Sequence, residues 1–306
     1  MNWGVHLALI TVQFLFASLT IVAKFVLPSI PPTGIVYFRI TGAALAFVAI
    51  KALTVRERVA PRDLLAMAGL ALVGVVFNQV FFLEGVKRTT AINTNILVTT
   101  VPVFTLAIAL VLKRERATAE KVGGIVLAAV GAVWLIGPDR IRLDPSMAFG
   151  NALIVFNTSL YAAYLVLSKR LLERYQPVTV VTYIFLFGAL YIAPVGLVSL
   201  RGVDLPHLPR AAVLGLAYIV AGSSILAYYL SIWALRRTSS SLVAMYVYTQ
   251  PLMTALGAPI ILHEHVTGRA GVAAMLIFGG LALATWGEQR SGRALGAAFR
   301  PPAEGG

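Results

Sequence analysis

The sequence contains no cysteine among its 306 residues, which excludes disulfide bonds, thiolate nucleophiles and metal centres with cysteine ligands. Charged residues are also scarce: Asp, Glu, Lys and Arg make up 12% of the chain, about half of what is usual for soluble domains. Apolar residues make up 59%, and the mean hydropathy is +0.86. A soluble domain this apolar lacks the polar groups needed to cover its surface. An ordinary soluble enzyme, a disordered protein and a disulfide scaffold are therefore excluded, and a multi-span membrane protein is indicated.

Acidic residues are the scarcer of the two charge types, since 12 Asp and Glu face 25 Lys and Arg. The net charge is +13 and the isoelectric point is about 10.3. In a soluble protein this excess would suggest a nucleic-acid partner. Membrane proteins, however, concentrate Lys and Arg in their cytoplasmic loops. We therefore expect a lipid bilayer and a small-molecule substrate as partners, and no nucleic acid.

Long apolar runs dominate the chain, and ten of them approach the roughly 20 residues that a membrane-spanning helix needs. They are Trp3–Leu27, Thr33–Leu53, Asp63–Leu83, Thr90–Leu112, Ala119–Ile136, Phe149–Leu171, Val178–Leu200, Ala211–Leu235, Ser239–Leu262 and Thr267–Trp286. Their length favours helices over barrel strands, which are about ten residues long with alternating polarity. The fold class predicted is an all-α integral membrane protein with ten transmembrane helices.

Basic residues set the expected orientation. Of the 25 Lys and Arg, 16 fall on the side that holds both termini and the connections from even to odd spans. Eight fall on the other side, and Arg39 lies inside the second span. This bias predicts a bacterial-type inner (plasma) membrane protein with both termini in the cytoplasm. The segment 288–306, which contains several Arg and two Pro, is predicted to be a disordered cytoplasmic tail.

The chain also repeats itself. Within residues 85–131, a set of positions recurs with the same residue 149 places later: Arg88, Thr89, Val98, Thr100, Pro102, Thr105, Ala109, Glu115, Thr118, Leu127 and Gly131. The repeating unit is five spans, predicted as 1–138 and 147–287. Because five is odd, the second unit enters the membrane from the opposite face, and the halves form an inverted repeat. Inverted repeats place a solute site near the midplane between the halves and suit alternating access. The alternative is a duplication that serves only as scaffold.

Two segments carry a resemblance to a known family. "NILVTTVPVFTLAIALVLKRE" in the fourth span and "SLVAMYVYTQPLMTALGAPIILHE" in the ninth have paired prolines followed by paired acids, and "YFRITGAALAF" begins at Tyr37. Together with ten spans in two halves, they resemble the drug/metabolite transporter superfamily, EamA branch. The resemblance implies a ten-helix basket with a central cavity that exports small metabolites such as amino acids.

Polar and aromatic side chains inside spans indicate a cavity or contacts between helices. The cavity candidates are Gln13, Asn78, Gln79, Asn93, Asn95, Thr99, Asn157, Tyr161, Tyr164, Tyr228, Tyr246, Tyr248 and Gln250. They lie in spans 1, 3, 4, 6, 8 and 9, which we expect to line the cavity, whereas spans 5 and 10 are expected to pack outside. For the amides, interhelical hydrogen bonding is an equal alternative. Aromatic rings mixed with amides would suit a zwitterion or a moderately apolar solute.

Four residues are candidates for gating or hinge roles. Pro102 and Pro251 occupy matched positions, and each removes a backbone hydrogen bond, so each could act as a hinge or free a carbonyl. Arg39 and Glu84 are both expected near the outer ends of their spans, and a pair between them would form an outer gate or a structural ion pair. In spans 5 and 10, runs of small residues favour close packing within a monomer, with a dimer contact as the alternative.

Several motifs are missing. No Asp or Glu lies in the middle third of a span, which favours a uniporter or exchanger over a proton antiporter. The sequence has no Walker lysine motif, no HExxH and no nucleophile elbow, so neither ATP hydrolysis nor an enzyme is expected. His263 and His265 flank Glu264 at a spacing that does not share a helix face, so no metal or cofactor is predicted. The expected function is export of small organic metabolites, with amino acids as the preferred substrate class. The alternatives are other solutes or drugs on the same fold, with proton coupling included, and a pore.

Overall fold

The structure is a computed structural model, which describes residues 3–136, 145–253 and 268–298. These residues form helices and no strand. We number them α1 (Trp3–Val26), α2 (Pro32–Thr54), α3 (Pro61–Arg88), α4 (Ala91–Val98 and Val101–Val111), α5 (Ala119–Ile136), α6 (Ala148–Leu172), α7 (Pro177–Ser199), α8 (Arg210–Leu235), α9 (Ser240–Met245, then 246–253) and α10 (Gly268–Ala298).

Nine helices of the described ranges are long and apolar enough to cross a membrane. They correspond to every predicted span except the ninth, which the structure describes only as far as 253. The all-α membrane fold is therefore confirmed. One boundary differs: α10 continues to Ala298, so the tail predicted from residue 288 is helical over most of its length. Ala, Leu, Arg and Gln favour helix there, and the first proline comes only at Pro301.

Helices from the two halves pack against each other in matched pairs. Helix α2 packs on α7, which follows it by five positions, and α5 packs on α10 in the same way. Contacts between α3 and α6 are matched by those between α1 and α8. If each helix is replaced by its equivalent in the other half, the same helix pairs remain in contact. An approximate two-fold axis between inverted halves requires this. The residue ranges assigned to the two halves stay a prediction.

Helices α5 and α10 approach each other closely through small residues. A Cβ atom added to Gly124 would lie 2.6 Å from the carbonyl oxygen of Gly280, and one added to Gly280 would lie 2.5 Å from the carbonyl oxygen of Gly124. On the opposite side of α5, Val122, Val126 and Val130 are exposed at four-residue spacing, as expected for a lipid-facing stripe. The small residues therefore serve packing within one chain, and α5 and α10 lie outside the helices that surround the cavity.

The helices depart from regular α-geometry at matched places in the two halves. Helix α3 contains a π-helical segment at Leu72–Phe77, and α8 contains one at Ile219–Leu226, about 149 residues later. Helix α4 is interrupted at 99–100, and α9 tightens into a 3₁₀ turn at Tyr246–Tyr248, again about 149 residues later. Such segments are frequent at functional sites. The two halves thus share their irregularities as well as their helix order.

The glycine contact gives a direct test of the α5–α10 packing. Replacing Gly124 or Gly280 with Ala places a Cβ against the backbone of the other helix, so we expect a loss of about 1–3 kcal/mol in stability and a lower midpoint of thermal unfolding in detergent. Gly123 and Gly279 are matched controls, because a Cβ there would meet only leucine methyl groups at 3.5 and 3.7 Å. Equal midpoints for Gly124→Ala and Gly123→Ala would contradict the packing.

Candidate functional site

A cavity lies at the centre of the described helices. Its volume is about 80 Å³, well below the roughly 300–1,000 Å³ of sites for drug-sized ligands. It is lined by Phe16, Leu19, Arg39, Asn78, Gln79, Phe82, Thr94, Asn95, Val98, Val101, Asn157, Tyr161, Tyr228, Val247 and Gln250. The six helices that were expected to line it all contribute, and α2 adds Arg39.

Seven of the polar and aromatic candidates lie on the cavity wall: Asn78, Gln79, Asn95, Asn157, Tyr161, Tyr228 and Gln250. Their combination of amide dipoles and ring faces is the mixture that the sequence predicted. Gln13 lies one step behind the wall, where its Oε1 accepts a hydrogen bond of 2.7 Å from Nε2 of Gln250. Whether these side chains bind a solute stays a prediction.

Two asparagines join α3 to α6 by a reciprocal contact. The Nδ2 of Asn78 donates to the carbonyl oxygen of Asn157 at 3.1 Å, and the Nδ2 of Asn157 donates to the carbonyl oxygen of Asn78 at 2.7 Å. Each amide thereby pairs a backbone carbonyl of the other helix, in addition to lining the cavity. These two residues face the cavity and also connect helices.

Gln79 and Tyr228 mark the pseudo-two-fold axis. They are 149 residues apart and occupy equivalent places in the two repeats, and the Nε2 of Gln79 donates to the hydroxyl oxygen of Tyr228 at 3.3 Å. Equivalent residues can touch each other only near the axis that relates them. The cavity wall therefore includes this axis, where the two inverted halves meet.

Aromatic rings pack around one side of the cavity. Phe16 meets Tyr161 and Tyr228 edge to face, at ring-centroid distances of 6.3 and 6.1 Å. Tyr164 stacks on Tyr161 and meets Tyr228, but its side chain is fully buried behind them and does not line the cavity. Ring–ring contacts of this kind limit the rotamers of the wall residues, so the cavity has a defined shape on this side.

The interruption in α4 has an identifiable cause. Pro102 has no N–H with which to donate to the carbonyl of Val98, and it stands at the start of the second helical piece. The hydroxyl of Thr100 donates to the carbonyl oxygen of Leu97 at 2.6 Å, which supplies a partner near the break. In α9, the hydroxyl of Thr249 donates to the carbonyl oxygen of Tyr246 at 2.7 Å, the equivalent bond 149 residues later. Pro102 and Pro251 thus accompany breaks rather than the smooth kinks of a continuous helix.

Besides Gln13 and Tyr164, four further cavity candidates lie away from the wall. Asn93 hydrogen-bonds with Asn151 of α6, and the hydroxyl of Thr99 donates to the carbonyl of Ile96 in its own helix. The other two are tyrosines of α9: Tyr246 hydrogen-bonds with His6 of α1, and Tyr248 is fully buried. Their residue types are as polar as those on the wall, but their positions around the helix axes point them at neighbouring helices.

The predicted pair between Arg39 and Glu84 is not formed. Glu84 pairs with Arg88, four residues along the same helix. Arg39 is 2% exposed, and its Nε donates to the hydroxyl oxygen of Ser224 in α8 at 3.0 Å. Residue 39 faces α8 and the cavity, whereas Glu84 lies one turn from the end of α3. Arg39 is therefore part of the cavity wall and not of a pair with Glu84.

The residues around the cavity are more deeply buried where α9 begins than where α4 begins. Every residue from Ser240 to Gln250 is buried, whereas positions 95–98 in α4, which are equivalent to 244–247, are partly exposed. The backbone N–H of Ser239 donates to Glu288 at 2.9 Å, and that of Ser241 donates to Glu115 at 3.1 Å. Two carboxylates thus stabilise the N-terminus of α9. The more exposed side of the cavity wall is therefore the one where α4 begins.

Sequence reasoning missed the apolar part of the wall. Phe16, Leu19, Phe82, Val98, Val101 and Val247 line the cavity, together with the polar Thr94. Apolar side chains carry no sign of whether they face lipid, other helices or a cavity. One signal was available, because Val98 and Val247 are identical under the repeat and each precedes a matched proline by four residues.

Single cysteines test this difference in burial, because the natural chain has none to remove. A thiol reagent that cannot cross the membrane, added on the side away from the termini, is expected to label Asn95→Cys, since Asn95 lines the cavity and is partly exposed. Ala244→Cys is the matched control at the equivalent place in α9, where the side chain is fully buried. Fast labelling of Ala244→Cys with slow labelling of Asn95→Cys would contradict the described difference in burial.

Comparisons with known proteins agree with this architecture. The sequence pattern of the EamA-like transporter family matches residues 2–137 and again 148–286. An uncharacterized transporter of Archaeoglobus fulgidus is 29% identical over 291 residues, which cover 93% of this chain and 98% of that protein. A WAT1-related protein of Arabidopsis thaliana is 25% identical, with 93% and 84% covered.

One solved structure superimposes with a TM-score of 0.76 over 95% of this chain and 99% of its own, at 18% identity, which shows that the fold is shared. The family pattern occurs once in each half, as the sequence repeat and the paired helix irregularities require. The chain belongs to the EamA-like transporter family, and it is a multi-pass membrane transporter.

Proposed function

We propose that this transporter exports small organic metabolites, most of all amino acids, by alternating access and without ATP. The single observation that carries the proposal is the central cavity on the pseudo-two-fold axis, whose surroundings are buried toward the start of α9 and partly exposed toward the start of α4. If the two halves exchanged conformations, the side where α4 begins would close and the side where α9 begins would open. The resemblance to EamA exporters supplies the preference for amino acids.

The chemistry of the wall supports a small polar solute. Amides such as Asn95 and Gln250 can donate and accept hydrogen bonds, and the rings of Phe16 and Tyr161 can cover apolar carbon atoms. The cavity volume of about 80 Å³ favours a metabolite over a drug-sized molecule. Larger solutes and drugs are the alternative, and they require a wider state of the cavity.

The charges of the wall support a uniporter or exchanger. In the described ranges, no carboxylate contributes to the cavity wall. Intramembrane carboxylates are the usual proton carriers of proton-coupled transporters. Proton antiport would therefore depend on another group, such as His6, which hydrogen-bonds with Tyr246.

The expected setting is a bacterial-type inner membrane with both termini in the cytoplasm. The charge bias of the loops supports this orientation. A monomer is the proposed functional unit, because the cavity is surrounded by helices of one chain.

Counterflow in proteoliposomes tests the proposal. Purified protein is reconstituted into vesicles that contain a high concentration of one unlabelled solute, and entry of the same solute in labelled form is followed. The measurement is repeated for each solute of a panel of neutral amino acids and other small metabolites. We expect saturable, trans-stimulated entry of at least one amino acid without a pH gradient. Val98→Trp should abolish this entry, because the indole fills the cavity that Val98 lines.

Val126→Trp is the matched control, because Val126 is 56% exposed on the outer side of α5 and an indole there projects away from the cavity. It should transport like the natural protein. No saturable flux for any solute of the panel would overturn the proposal, and flux that neither saturates nor shows counterflow would indicate a pore.

A further inference from the structure

Arg39 occupies an unusual electrostatic position. Its side chain is 2% exposed, it lies in α2 within the membrane-spanning part, and it contributes to the cavity wall. Its Nε donates to the hydroxyl oxygen of Ser224 at 3.0 Å, and that hydroxyl donates to the carbonyl oxygen of Ile219 at 3.2 Å. The Ser224 hydrogen is thereby directed away from the guanidinium, and a lone pair is directed toward it. The cation is held in place by neutral groups.

Within the described part of the chain, no carboxylate balances this charge. Arg39 is the one charged residue that the described ranges contribute to the cavity wall, and the acidic side chains that form ion pairs in these ranges have other partners. Glu84 pairs with Arg88, and Glu115 pairs with Lys121. A guanidinium stays protonated at neutral pH, and an unpaired buried charge is costly in a membrane protein. An anionic group of the solute would remove this cost.

The geometry of the guanidinium selects the kind of anion. Ser224 occupies Nε, so the two terminal Nη groups are the donors left for a ligand. Two parallel N–H donors match the two oxygens of a carboxylate. One guanidinium balances one negative charge, so a phosphate dianion would keep an unpaired charge in a cavity whose other described wall residues are neutral.

Among the described residues, the same wall offers no charged partner for an ammonium group. Neutral groups can hold an ammonium, through amide oxygens such as those of Asn95 and Gln250 or through the faces of Phe16 and Tyr161. Such contacts distinguish a solute with an ammonium group from one without it less strongly than an ion pair would. Recognition of the carboxylate should therefore dominate recognition of the amine.

We propose that Arg39 binds the carboxylate of the transported solute, and that this transporter selects small monocarboxylates whether or not they carry an amino group. The inference rests on the proposed transport function and names its substrate class. It assigns Arg39 to solute binding instead of gating, with Ser224 as the residue that positions it.

The test uses competitors with one carbon skeleton. In proteoliposomes that show counterflow of leucine, or of whichever amino acid of the panel is transported, three compounds compete: the amino acid, its deaminated acid and its decarboxylated amine. We expect the acid to compete within about tenfold of the amino acid and the amine to compete at least about 100-fold more weakly, as for loss of a buried charge pair.

Variants then test whether Arg39 causes the preference for the acid over the amine. Arg39→Gln should weaken binding of the acid by roughly 100-fold and reverse the preference toward the carboxamide of the same skeleton, because a glutamine can pair with a neutral amide. Ser224→Ala should weaken binding of the acid by a smaller factor. Lys51→Gln is the matched control at the far end of α2, where loss of a cation should change nothing.

Thermal unfolding in detergent provides a readout that does not need transport. The deaminated acid should raise the unfolding midpoint of the natural protein and of Lys51→Gln, but not that of Arg39→Gln. Equal competition by acid and amine, or an unchanged preference in folded Arg39→Gln, would overturn the inference while leaving the transport function intact. Absence of counterflow for every solute would overturn the transport function, and absence of any shift with the acid would then overturn the inference as well.

Discussion

A helix in lipid must pair its own backbone N–H and C=O groups, because hydrocarbon offers no partner for them. This constraint explains where the irregular backbone of the protein lies. The π segments at Leu72–Phe77 and Ile219–Leu226 and the irregular turns in α4 and α9 pack against other helices and lie next to cavity residues. Irregular backbone and solute cavity coincide because both need the protein interior. Since each irregularity occurs once in each half, the two halves have the same places at which to bend.

Much of the fold could be predicted because lipid imposes simple rules on a sequence. Apolar length gave the spans, and the recurrence of Pro102 as Pro251 gave the two halves. The tight contact of Gly124 with Gly280 could be anticipated as close packing within the chain, but not which helix was the partner. The π segments had no visible signal, because an i→i+5 bond depends on packing rather than on residue type.

The candidate site was predictable only in part. Asn78 and Tyr228 reach the cavity, whereas Asn93 and Tyr246 are of the same types and do not, because a rotation of a few tens of degrees about a helix axis decides which neighbour a side chain meets. Charge complementarity misled in the case of Arg39, which was matched with Glu84 because both lay near predicted outer ends. The structure pairs Glu84 within its own helix and leaves Arg39 with Ser224 beside the cavity.

We propose that the two inverted halves exchange conformations about the axis marked by Gln79 and Tyr228. Distances between pairs of spin labels, measured by double electron–electron resonance, are the direct test. Labels can be attached at introduced cysteines, because the chain has no cysteine to remove. One doubly labelled protein carries labels at 87 and 211, and the other carries labels at 236 and 62. All four positions are exposed, and the 149-residue repeat relates 87 to 236 and 62 to 211. If the halves exchange conformations, a transported solute shortens the 87–211 distance and lengthens the 236–62 distance. Changes of the same sign in both pairs, or no change while transport continues, would contradict it.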